Sequence, residues 1–119
     1  MFGEILREVV EQTDGGLASV LMGFDGIPIE TYNTDGVALN VETVGAEYSA
    51  VLGQVRQAAE MLELGNAREV AVQAENMTTV IRLLNDEYFV AMAVAPNGNF
   101  GKARYQLRLH APRLLESLT

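Results

Sequence analysis

The chain has 119 residues, 49% of them hydrophobic and 20% charged, a globular balance that excludes a wholly disordered or collagen-like chain and fits one domain over residues 1–119. Eight Lys and Arg against sixteen Asp and Glu give a net charge of −8, which disfavours phosphate backbones and anionic bilayers and argues against nucleic acid as a partner. Cysteine is absent, so disulfides, thiolate nucleophiles and Cys-based metal sites are excluded together and the expected compartment is the cytoplasm.

Met1 to Val10 lacks the basic, apolar and small-residue order of a signal peptide, and no apolar run approaches the roughly 20 residues that span a bilayer, so a soluble protein without membrane insertion is expected. Phe2, Ile5, Leu6, Val9 and Val10 recur at helical spacing between charged residues, and Asp14-Gly15-Gly16 stops that amphipathic helix. Leu17 to Phe24 and Ile27 to Tyr32 read as a hairpin closed by the two-residue turn Asp25-Gly26. Pro28 cannot donate to a ladder, which puts the second strand at a sheet edge.

After a polar loop, a long helix is expected from Val41 to Leu64, stopped by Gly65-Asn66. At about 100° per residue, Val44, Tyr48, Val51, Leu52, Val55, Ala59 and Leu62 form a sheet-facing side. Ala46, Ala50, Gly53, Gln57, Met61 and Leu64 form a second stripe of mostly small or apolar residues. A helix with two such faces wants two neighbours. Glu69 to Glu75, Thr78 to Asn85 and Tyr88 to Ala95 then read as an antiparallel meander. The last two strands are apolar on both alternating faces, which requires helices on both sides of the sheet. Ala103, Leu107, Ala111, Leu114, Leu115 and Leu118 mark a final amphipathic helix that Pro112 is expected to kink. The result is an α/β sandwich with an antiparallel sheet.

Candidate chemistry is sparse. His110 is the only histidine and has no Cys or second His with which to build a metal site, so a packing or solvent-facing role is expected. Gly98-Asn99-Phe100-Gly101-Lys102 lacks the spacing of a phosphate loop, and Ala103 stands where Ser or Thr would follow the lysine. Asp14, Asp25 and Asp35 each precede Gly, which is turn chemistry. Ser19 and Ser49 carry no nucleophile signature. No catalytic residue, metal site or cofactor is nominated. Lys102, Arg104, Arg108 and Arg113 against Glu116 give residues 102–119 a net +3, leaving −11 for residues 1–101 of a chain at −8. That contrast reads either as an ordinary solvated helix face or as a docking surface for an acidic partner.

Asp14-Gly15-Gly16-Leu17-Ala18-Ser19-Val20, Gly23-Phe24-Asp25-Gly26-Ile27-Pro28, Tyr88 to Val94 and Gly98 to Arg104 together resemble the roadblock/LC7 family over essentially the whole chain. Within it they are most similar to the short bacterial MglB/MglC-like branch of gliding-motility regulators, with Met22 to Gly26 and Phe100-Gly101-Lys102 pointing to its MglC-like side. The resemblance implies a three-layer sandwich with strand order 2-1-5-4-3, the long helix on one face and the terminal helices on the other. It also implies a non-enzymatic adaptor that pairs third strands edge to edge and packs long helices together, with itself as a homodimer or with another roadblock protein. Such a dimer serves as a platform for a Ras-like small GTPase in cell polarity or motility. The interface candidates are then Ala46, Ala50, Gly53, Gln57, Met61, Leu64, Val70 and Val72, with Arg56, Arg104 and Arg108 as possible partner contacts. Arg56 is also the candidate for an arginine supplied in trans, ahead of Arg68 and Arg82. A small-ligand-binding sensory domain is the alternative.

Overall fold

The computed structural model describes residues 1–119. Its elements run α1 (Phe2–Glu11), β1 (Gly16–Gly23), β2 (Pro28–Asn33), α2 (Val41–Met61), β3 (Glu69–Gln73), β4 (Thr78–Leu83), β5 (Tyr88–Val94) and α3 (Phe100–Leu118). The strands form one antiparallel sheet in the order β2-β1-β5-β4-β3, the order the resemblance implies.

Strand alternation divides the core into two layers. Leu21, Val90, Met92 and Val94 point to one face, where they pack against Ile5, Leu6, Val9 and Val10 of α1 and Leu107 and Leu114 of α3. Val20, Met22, Ile81, Phe89 and Ala91 point to the other, beneath Val41 and Leu52 of α2. The apolar residues on both faces of β4 and β5 therefore meet helices above and below. Two polar groups are buried without loss: Ser19 Oγ donates to the Leu6 carbonyl at 3.0 Å and Thr13 Oγ1 to the Val9 carbonyl at 2.8 Å, tying α1 to β1 and closing its own last turn.

Several boundaries depart from the sequence reading. The β1–β2 connection is a three-residue loop, Phe24-Asp25-Gly26, because the Gly23 N–H bonds the Ile27 carbonyl at 3.0 Å. Gly26 takes φ +84°, and Asp25 Oδ1 accepts from the Ile27 N–H at 3.0 Å, the geometry of a turn followed by a left-handed residue. Pro28 opens the edge strand β2 beside a register irregularity between Leu21 and Met22, where a missing donor costs least. Helix α2 ends at Met61, three residues early. The Leu64 N–H reaches back to the Ala59 carbonyl at 2.9 Å and the Glu63 N–H to Glu60 at 3.0 Å, with Glu63 at φ 57°. This is a Schellman end with a glutamate in the left-handed position. Asn99 caps α3 by accepting from the Lys102 N–H at 2.9 Å, and α3 continues through Pro112 as a single helix.

The loops after α1 and after β5 interlock. Gly15 lies at φ +80°, and a Cβ on it would come within 2.5 Å of the Gly98 Cα. The Asn99 N–H meanwhile bonds the Asp14 carbonyl at 2.8 Å, and the Ala95 N–H bonds Gly15 at 2.8 Å. Gly36 has a similar φ of +81° with nothing within 4 Å of its absent Cβ. Gly36→Ala therefore costs only the left-handed backbone term, about 1 kcal/mol. Gly15→Ala adds a backbone collision and is expected to cost at least about 2 kcal/mol more, since neither loop can retreat without losing hydrogen bonds. Urea denaturation of the two variants measures the difference, and equal losses would refute the interlock.

Candidate interaction surface

Helix α2 lies close against the sheet at Gly45, where an added Cβ would stand 3.0 Å from the tip of Met22 and 3.2 Å from Val20. Only Val41, Gly45, Ser49 and Leu52 of its 21 residues are buried, so the helix is anchored along a narrow line. The sequence reading places Val51 and Leu62 on the sheet side, yet they are 46% and 67% exposed. The contact line is rotated by roughly 60° from the one that apolar size selects, because Gly45 and Ser49 are small enough to let the helix backbone approach.

The opposite side of α2 is free. Ala46, Ala50, Gly53, Gln57 and Met61 are all exposed, Met61 at 75%, and nothing lies within 4 Å of the position a Cβ would take at Gly53. On the helical wheel Glu42 and Glu60 lie on one flank of this stripe and Glu47 on the other, so its centre carries no charge. Leu64 is 72% exposed and lies past the helix in the Schellman end. Val51, Met61, Leu62 and Leu64 thus form an exposed apolar group around the C-terminal half of α2. The sequence reading nominates two of these four.

Val70 and Val72 lie on β3, the edge strand opposite β2. They face the same side of the sheet as α2, since Val70 pairs with Ile81 and Val72 with Thr79, and both are half-buried. The outer side of β3 has no strand beside it in the chain. Between α2 and the β4–β5 turn runs a groove of about 600 Å³ in which three of twelve lining residues are hydrophobic, a polar lining unlike that of an apolar ligand pocket.

Of the arginine candidates, Arg56 is committed within the fold. Its guanidinium lies 4.2 Å from the Phe24 ring centroid, donates to the Asp86 carbonyl at 3.2 Å and stands 3.7 Å from the Asp86 carboxylate. It ties α2 to the β1–β2 and β4–β5 turns together. Arg104 is also engaged, 2.7 Å from Glu69 of β3, and that carboxylate holds the guanidinium more firmly protonated by its hydrogen bond and charge. Arg108 is exposed and has no carboxylate partner. His110 is buried between α1 and α3, with Nδ1 2.9 Å from the Gln106 carbonyl and Nε2 against the Glu8 carboxylate, which Arg113 also meets at 3.3 Å. Its role is packing and helix-to-helix attachment. No group of three or more His, Asp or Glu side chains is placed to hold a metal ion, and no helix is long and apolar enough to cross a membrane.

Neither a protein-family model nor a curated protein sequence matches this chain. Among solved structures, MglC from Myxococcus xanthus is 42% identical, with 96% of each chain covered and a TM-score of 0.70. A Roadblock/LC7 domain from Streptomyces avermitilis has the same fold at a TM-score of 0.83, with 15% identity over 97% of this chain and 95% of that one. The chain belongs to the roadblock/LC7 family, on its MglC-like side. The gliding protein MglB from Thermus thermophilus shares the fold at a TM-score of 0.84, with 15% identity over 95% of this chain and 84% of its own.

Two contacts of this roadblock chain yield measurable expectations. Arg56→Ala removes a stacked cation and a hydrogen bond between elements, and is expected to cost about 1–2 kcal/mol by urea denaturation. A loss below the error of the measurement would show that Arg56 is not a clamp. The hydrogen bond from His110, followed by the charges of His110 and Arg113, lowers the Glu8 pKa below its ordinary 4.5. A carboxylate with a depressed folded pKa contributes stability above the unfolded value and loses it as pH falls through the folded one. The stability of the native protein should therefore fall more steeply than that of Glu8→Gln as pH falls below the ordinary carboxylate value of 4.5. Parallel acid limbs for the two proteins would contradict this linkage.

Proposed function

We propose that this chain is a non-catalytic adaptor of cell polarity or motility that dimerises through the free side of α2 and the β3 edge. In that form it presents a composite surface to a Ras-like small GTPase, or to a second roadblock protein that controls one. The observation that carries the reading is the uncharged stripe Ala46, Ala50, Gly53, Gln57 and Met61 on a helix anchored by only four residues. Small side chains let another helix approach closely, and Met61 and Leu64 add buried apolar area at about 25 cal/mol per Å². Val70 and Val72 supply the adjoining half-covered strand. The likeness to MglC, and the tetrameric arrangement recorded for a 16% identical MglB, support association between roadblock chains. Action follows from presentation: a platform with higher affinity for one conformation of its partner shifts the partner's equilibrium without doing chemistry. Arg56, already held by Phe24 and Asp86, is not assigned a role in trans. The expected compartment is the cytoplasm.

Light scattering of the purified chain is expected to give a dimer mass, and Ala50→Arg or Val72→Lys a monomer with unchanged circular dichroism. A monomeric wild type, or variants that keep the dimer mass while folded, would remove the interface. A native pull-down from the source cells should recover a Ras-like GTPase or a second roadblock chain with wild type and lose it with Ala50→Arg.

A further inference from the structure

Helix α3 carries a second surface that the dimer reading does not use. Of the eight Lys and Arg in the chain, Arg7, Arg56, Arg104 and Arg113 stand within 4.0 Å of a carboxylate. Arg68 and Arg82, outside this helix, do not, and neither do Lys102 and Arg108 on it, although the chain has two carboxylates for every cation. The two on α3 flank one exposed ring instead: Lys102 Nζ lies 5.6 Å and the Arg108 guanidinium carbon 5.8 Å from the Tyr105 centroid. Tyr105 is 44% and Leu109 52% exposed, and Pro112 is exposed beside them. At 100° per residue these five side chains share the solvent side of α3, opposite buried Ala103, Leu107 and Leu114.

The i, i+3 spacing accounts for the stacking of Lys102 and Arg108 on Tyr105, but not for a positive charge at the start of the helix or for the exposed apolar side chains between the cations. A helix N-terminus favours acids, yet the first turn of α3 has none and carries Lys102. The ring and Leu109 keep an apolar centre wet where a solvated face would be polar.

We infer that this face of α3 is a docking surface for a short acidic amphipathic segment of a partner protein, whose apolar side covers Tyr105 and Leu109 and whose carboxylates meet Lys102 and Arg108. The width of the patch selects that occupant. From Lys102 to Pro112 it spans about 15 Å along one helix, while charges separate electrostatically beyond about 8–10 Å at physiological salt. A membrane or nucleic acid extends past the patch and meets the −11 carried by residues 1–101. A single acidic segment laid along α3 meets the cations alone. The inference is independent of the α2 interface, which lies across the sheet.

The test uses the full chain and a fluorescent synthetic peptide of about 18 residues, with Leu at i, i+3, i+4 spacing and Glu elsewhere, against a twin with Lys in place of Glu. Anisotropy titration should show that only the acidic peptide binds, more weakly as salt rises. Lys102→Glu with Arg108→Glu, or the milder Arg108→Gln with Tyr105→Ala, should lower affinity at least about tenfold, whereas Ala50→Arg should leave it unchanged. Equal binding of both peptides, or undiminished binding by both pairs of variants, would overturn the inference. So would sedimentation of the wild type with phosphatidylserine vesicles in place of peptide binding, or a self-association that the Lys102 and Arg108 variants abolish.

Discussion

A five-stranded sheet is about 20–24 Å wide at the usual strand spacing, and one helix with its side chains covers about 10–12 Å. This molecule places two helices on one face and one on the other. Everything else about its surface follows from that inequality. The α1/α3 face is closed, with a continuous core from Ile5 to Leu114. The α2 face is closed over β1 and β5 but leaves Val70 and Val72 of β3 half-buried. A second helix laid beside α2 would complete the layer, and the stripe from Ala46 to Met61 is the side of α2 on which such a neighbour would rest.

The shortage of cover makes the anchoring of α2 important. Gly45 brings its N-terminal half against Val20 and Met22, and Arg56 holds the C-terminal half from above by stacking on Phe24 and bonding Asp86. Between these fastenings the helix presents a rigid outer face. Its end is equally defined: the Schellman bonds from Glu63 and Leu64 close the last turn and turn the chain toward β3. A fraying end would leave Met61, Leu62 and Leu64 as a mobile apolar tail. Instead they are held as part of a surface, at the energetic cost of a non-glycine residue in a left-handed conformation.

How much of this was legible in the sequence varied with the range of the interaction. Helices and strands were recoverable because periodicity is local, and Pro28 marked an edge strand because a missing donor excludes the sheet interior. Strand order was not in the periodicity at all and came only with the family resemblance. The errors on α2 share one cause. Hydrophobic size points Val51 and Leu62 at the sheet, whereas close approach is decided by where a side chain is absent, at Gly45. Asp25-Gly26 has the chemistry of a whole turn by itself, but Phe24 joins the loop once its N–H bonds the Glu87 carbonyl of the neighbouring turn. The role of Arg56 was hidden for the same reason, since Phe24 and Asp86 are each some thirty residues away in sequence. For the interface candidates the residue types were visible, while the exposure that makes them available became visible only with the rotation of the helix.

The two proposed surfaces lie on opposite sides of the sheet and share no residue. Free-energy changes at sites more than about 7–10 Å apart with no common partner add, so occupation of the α3 face should leave the affinity of the α2 face unaltered unless a two-state element connects them. Both helices are fastened to the same close-packed strands, with Val90 and Met92 on one side of β5 and Phe89 and Ala91 on the other. Partners bound at the two proposed surfaces would be linked by proximity, with no conformational relay through the sheet. The consequence would be a raised effective concentration of one bound protein near another, beside the conformational preference that the proposed α2 platform exerts on its own partner.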